Sequence, residues 1–135
     1  MFITRECDYA ARVLRALSGE TRLSVNEICE KESITAPYKI LKKLQKAGIV
    51  KGYRGVHGGY AMNKSLGELT LFDVYKAIDP DLFIIECMAS GYECPTDGKG
   101  DHLPCYMHRE LCEIQQGVWE MLKRKSLQEV LMPEM

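Results

Sequence analysis

The chain has 135 residues, of which 46% are hydrophobic and 27% charged, and its formal net charge is −1. That length suits one domain of ordinary size plus an extra helix. It holds no apolar run of about 18 residues and no signal core in "MFITRECDYA", so no membrane span is expected and the protein reads as cytoplasmic. From Ile3, apolar or small residues recur at Cys7, Ala10, Leu14 and Leu17, the period of an amphipathic helix that Gly19 ends. Ser24 and Glu27 form a capping-box signature that opens a second helix with Ile28 and Cys29 inward. Cys7 and Cys29 are both read as structural. Thr35 is the expected cap of a third helix, with Pro37 in its first turn. There Ile40, Leu41, Leu44 and Ala47 point inward, Lys39, Lys42, Lys43 and Lys46 take the opposite face, and Gly48 is the stop.

The near-zero net charge hides an asymmetry. Residues 1–64 carry 12 Lys and Arg against 6 Asp and Glu, whereas residues 65–135 carry 6 against 13. Between Ile34 and Lys64 there are seven basic residues and no acidic one. A lysine face is often only solvated, but one on a helix that follows a helical turn is also a footprint for phosphate backbones. "IVKGYR" and "YAMN", joined by "GVHGG", read as a glycine-linked hairpin. Helix, helix, basic helix and hairpin is the order of a winged helix-turn-helix.

Leu71–Ile78 reads as a short helix stopped by Pro80. A Gly-, Pro- and Cys-rich stretch follows, with the spacing Cys87-x6-Cys94-x10-Cys105-x2-His108-x3-Cys112. In a cytosolic protein such a cluster points to metal or redox chemistry before a disulfide framework. Tyr106 to about Leu127 reads as one long helix with a stripe of Met107, Leu111, Ile114, Val118 and Met121. A second copy of the chain is the simplest cover for that stripe. Gly117 marks either a weak point of this helix or a close approach to a neighbour. Cys105, His108 and Cys112 can share one helical face, which makes Cys112 either a ligand or a partly buried thiol beside Leu111. His102 reads as an exposed loop residue. The expected organisation is a DNA-binding domain over residues 1–80, a cysteine-rich sensor loop over 81–104, and a dimerisation helix with tail over 105–135. The fold class is mainly α with a small β-hairpin wing. No nucleophile–base constellation or phosphate loop suggests an enzyme.

"DYAARVLRAL", "ILKKLQKAGIVKGYRGVHGGYAMNK" and "LTLFDVYKAID" together resemble the Rrf-two family of bacterial winged helix-turn-helix transcription regulators. The resemblance covers roughly residues 1–80, and the cysteine loop and long helix extend it over nearly the whole chain. It implies a homodimer on a partly palindromic operator, with Arg54 of the wing's Arg-Gly pair entering the minor groove. A guanidinium suits the negative potential of a narrow minor groove. Thr35, Ala36, Tyr38 and Lys39 become candidates to meet base edges, and Lys42, Lys43 and Lys46 to meet phosphate. Gly55, His57 and Gly58 are candidates for backbone contact from the wing. Tyr38 and Tyr60 can equally pack wing against helix.

The resemblance to the family's iron–sulfur branch (IscR-, NsrR- and RirA-like) places Cys87, Cys94 and Cys105 as cluster ligands. Its Cys-x2-His element nominates His108 as fourth ligand, and an early helix-1 aspartate nominates Asp8 from the other subunit. The loops between cysteines are longer than the family's usual spacing, so the cluster is either a two-iron or a four-iron type. The reading is a repressor or dual regulator sensing iron, redox or nitric oxide status. Its alternative is a cluster-free regulator controlled by zinc, thiol oxidation or a protein partner, as in the CymR-like branch.

Overall fold

The computed structural model describes residues 3–81, 83 and 106–133. Helix α1 spans Arg5–Leu17 and buries Cys7, Ala10, Val13, Leu14 and Leu17, the face expected from their spacing. Ile3 lies outside the helix and is exposed. Gly19, at φ +77°, turns the chain after it.

Helix α2, Val25–Glu32, starts with the reciprocal Ser24–Glu27 box. The Glu27 N–H donates to Ser24 Oγ, and the Ser24 N–H donates to Glu27 Oε1. The Ser24 backbone N–H, and after it the Ser24 side chain, hold the Glu27 carboxyl below its ordinary pKa. Arg15 ties α1 to α2 through two bonds to Glu32, at 2.8 and 2.6 Å. Glu32 holds the Arg15 guanidinium above its ordinary pKa, first through that hydrogen bond and then through its charge.

The turn into α3 corrects the expected cap. Helix α3 spans Tyr38–Lys46, with Pro37 at its N-cap and no side-chain cap bond. Ser33 and Ala36 both sit in the left-handed region, at φ 55° and 45°. The backbone therefore reverses at Ala36 and leaves Thr35 outside the helix. Ile40, Leu41 and Leu44 are buried as expected. Ala47 is exposed, because the helix ends one residue before it and Gly48, at φ +77°, carries the chain away.

Strands β1 (Val50–Tyr53) and β2 (Gly59–Met62) pair antiparallel, with Val50 opposite Met62 and Tyr53 opposite Gly59. Leu23 adds a bridge on the other side of β2: its N–H donates to the Tyr60 carbonyl at 2.9 Å, and the Tyr60 N–H donates back at 2.8 Å. Gly59 is required at this junction. Its φ is +149°, and a Cβ there would collide with the Leu23 carbonyl.

A short 3-10 turn, Leu66–Glu68, leads to helix α4, Leu71–Ile78, opened by a Thr70–Asp73 capping box. Helix α5 spans Tyr106–Lys123 and stops short of the expected end near Leu127. Ser126 and Glu129 form another capping box that starts helix α6, Leu127–Leu131. The Leu127 side chain is fully buried, and its N–H donates to the Leu69 carbonyl at 2.8 Å, so the C-terminal segment folds back onto the winged domain.

One core unites α1 to α4 with Leu23, Ile49, Val50 and Leu127. Helix α5 packs on α4, where Trp119 meets Phe72 edge-on at 5.9 Å and Phe83 at 5.7 Å. No helix among the described residues is long and apolar enough to cross a membrane.

Candidate nucleic-acid interface

Helix α3 buries one face and presents the other to solvent because its apolar residues recur at the helical period. On the outward side Tyr38 is 62% exposed, and Lys39, Lys42 and Lys46 are exposed. Thr35 and Ala36 are exposed too, in the turn just ahead of α3. Lys43 differs from its neighbours: it is half-buried, and its Nζ lies 3.1 Å from Glu6 of α1. Among the described residues, no carboxylate lies within ion-pair distance of Lys39, Lys42, Lys46, Lys51 or Arg54. The basic face is thus left almost wholly uncompensated, which favours an external anion.

The wing continues that face. Arg54, Gly55, Val56 and His57 are exposed, Val56 almost completely. The tip is tight: the Gly58 N–H donates to the Gly55 carbonyl at 2.9 Å, and Gly55 stands at φ +96°. A Cβ on Gly58 would sit 2.8 Å from the carbonyl oxygens of Gly55 and Tyr53, so the backbone itself demands glycine there. Tyr60 is half-buried against the core, the packing role considered for it, whereas Tyr38 keeps an exposed ring.

Two partners in this region escape a reading by period. Glu6, which anchors Lys43, is 37 positions away in the chain. Arg22 lies outside the basic run and sets its guanidinium 4.8 Å from the Tyr53 ring centroid.

Of the expected metal ligands, Cys87, Cys94 and Cys105 lie outside the described residues, as does His102. Asp8 is engaged by Arg12 at 3.0 Å. His108 is half-buried in the first turn of α5, and its Nε2 lies 3.4 Å from the Cys112 Sγ. Cys112 is exposed, which corrects the picture of a thiol tucked beside Leu111. Its place on the helix turns it towards His108 and solvent. Among the described residues no three His, Cys, Asp or Glu side chains gather as a metal site. Cys7 is buried in the core and accepts from the Thr4 hydroxyl, and Cys29 is half-buried.

Helix α5 carries an apolar edge that the described residues leave open. Met107, Ile114 and Met121, seven residues apart, are 68%, 46% and 66% exposed, and Leu111 and Val118 beside them are half-buried. Among the described residues, a Cβ added at Gly117 would meet nothing within 4 Å, so none of them approaches closely there.

The profile of the Rrf2 family, described as an iron-dependent transcriptional regulator, matches residues 3–133. The protein aau3 of Rhizobium meliloti (strain 1021) is 34% identical over 100 residues, covering 70% of this chain and 65% of its own length. The regulator NsrR of Geobacillus kaustophilus (strain HTA426) is 32% identical over 100 residues, covering 70% of this chain and 68% of its own. Among solved structures, CymR (YrzC), the global cysteine regulator of B. subtilis, superposes with a TM-score of 0.68, covering 98% of both chains at 21% identity, a likeness of fold. A family match over nearly the whole length, on a winged helix with an uncompensated basic face, makes this chain a member of the Rrf2 family, a DNA-binding transcription regulator and not an enzyme.

Proposed function

We propose that the chain acts as a homodimer on a partly palindromic operator, and that an iron–sulfur cluster held by Cys87, Cys94, Cys105 and His108 sets its affinity for that DNA. The observation that carries the cluster reading is the position of His108. It stands in the first turn of α5, three residues after Cys105, with its Nε2 beside the Cys112 thiol. His108 Nε2 and the Cys112 Sγ thus meet near the head of α5, and a set of thiolates with one imidazole suits iron–sulfur ligation. Asp8 fits less well, because Arg12 would have to release its carboxylate first.

When bound, a cluster supplies an iron centre whose charge and integrity respond to redox state and iron supply. The chain's own part is to pass that change on. Helix α5 packs on α4 through Trp119 and Phe72, and α4 in turn packs on α1 and α3. A shift of α5 therefore bears on the helix that carries Lys39 and Lys42. Dimerisation is supported by the open apolar edge of α5, and two copies match two half-sites.

A cluster-free regulator is the second reading, and one distance favours it. A thiolate and an imidazole nitrogen bound to one tetrahedral zinc stand about 3.5 Å apart. His108 and Cys112 already stand at 3.4 Å.

Anaerobic purification followed by absorption spectroscopy and iron, sulfide and zinc analysis separates the two. The cluster reading expects visible charge-transfer bands with stoichiometric iron and sulfide. Those bands should vanish in Cys94→Ala, shift in His108→Ala and persist in Asp8→Ala. A colourless protein holding zinc, or none of these elements after anaerobic reconstitution, overturns it.

A further inference from the structure

We infer that Arg22 is a positioning residue for the wing and acts on DNA binding through Arg54. The inference rests on the reading of Arg54 as the wing's groove contact. Arg22 lies in the segment before α2, next to Leu23, whose backbone forms the double bridge with Tyr60 of β2. From there its side chain crosses Gly59: a Cβ on that glycine would stand 3.2 Å from the Arg22 Cγ. Beyond Gly59 the guanidinium reaches the ring of Tyr53, its carbon 4.8 Å from the centroid. Gly59 and Tyr53 are direct cross-strand partners, so one side chain spans the hairpin at its outer end.

The geometry has a consequence for the next residue. Tyr53 is the last residue of β1, and Arg54 follows it immediately. A two-stranded hairpin is marginal by itself. The Leu23 bridge anchors only β2, the strand that leaves the wing tip. β1 is held at its inner end by buried Val50 and by α3; at its outer end the Arg22 stack on Tyr53 adds to the pairing of Tyr53 with Gly59. Gly59 serves both: its missing Cβ admits the Leu23 carbonyl and the Arg22 stem together. Fixing Tyr53 in this way limits the directions in which Arg54 can leave the sheet, and so lowers the ordering cost when Arg54 enters a groove.

The test is a double-mutant cycle read as affinity for DNA from the protein's own promoter, at several salt concentrations. Arg54→Ala alone should weaken binding at least about tenfold, which checks the reading beneath the inference. Arg22→Ala should weaken it roughly two- to fivefold, the worth of an exposed cation–π contact. The same substitution should have almost no further effect once Arg54 is alanine. Tyr53→Leu, which removes the ring while keeping an apolar side chain, should reproduce Arg22→Ala and add little to it. The salt slope should be the same in Arg22→Ala as in the unchanged protein. Additive losses in the cycle overturn the inference. So does a slope reduced by about 1.8, about 0.9 for each protomer of the dimer, which marks Arg22 as a phosphate contact in its own right. If Arg54→Ala binds normally, the underlying reading fails and the inference falls with it.

Discussion

Ile114→Asp is expected to convert the protein to a monomer and to weaken binding of a two-half-site operator by about 10² to 10⁴-fold. Ile114 stands in the middle of α5, 46% exposed and flanked one heptad away on each side by Met107 and Met121. These three residues and the half-buried Leu111 and Val118 repeat at 4-3-4-3, the seam of a left-handed helix pair. A carboxylate at that seam would be buried without a partner if a second helix covered it. The fold of the single chain should survive, because α5 holds its own domain by a different face: Trp119 against Phe72 and Phe83, with Gln115 buried nearby. Sedimentation should show half the mass, with the helical circular dichroism retained. The DNA loss follows from linkage, since two separate wings no longer share an effective concentration. A dimer that persists in Ile114→Asp would place the dimer contact elsewhere.

Gly59→Val is expected to cost about 2–4 kcal/mol, roughly 10 °C in Tm, and to remove most operator affinity. Two independent causes add. At φ +149° a β-branched residue is strained whatever space surrounds it, and a Cβ would also run into the Leu23 carbonyl. Relief requires β2 to leave Leu23, which breaks both bonds between Leu23 and Tyr60. Native-state hydrogen exchange should therefore show the Leu23 and Tyr60 amides losing protection while Leu14 and Leu44 keep theirs. Gly55→Val is a useful control. Gly55 also has positive φ, but a Cβ there meets nothing within 4 Å, so only the strain term applies. Equal losses of Tm in the two variants would show that the Leu23 junction does not hold the wing.

Much of the fold is legible in the sequence because its signals are local. The inner faces of α1 and α3 follow from period alone, and the Ser24–Glu27 box marks the start of α2 to the residue. The misses have local causes as well. Thr35 is a favourable cap by residue type, but the positive φ of Ala36 moves the helix start to Tyr38. The break after Lys123 is written in the Ser126–Glu129 capping signature, which a reading by apolar period alone passes over. Period puts Cys112 on the face of His108 but does not say whether that face is covered.

The candidate site divides along the same line. Exposed Lys39, Lys42 and Lys46 are implied by helix geometry, since they lie opposite Ile40 and Leu44. The Lys43–Glu6 pair and the Arg22–Tyr53 stack join segments far apart in the chain and appear only when the elements pack. The Arg12–Asp8 pair, four residues apart on α1, is by contrast implied by helix geometry alone.

If cluster occupancy sets DNA affinity, as proposed, a titration of DNA binding against metal content will show it. Promoter DNA is titrated with anaerobically purified protein before and after removal of iron by chelation, at fixed salt. The two dissociation constants should differ by about 5- to 150-fold, the usual span of a coupling between sites. That difference should disappear in Cys94→Ala. Equal affinities for the loaded and stripped protein would contradict the proposal.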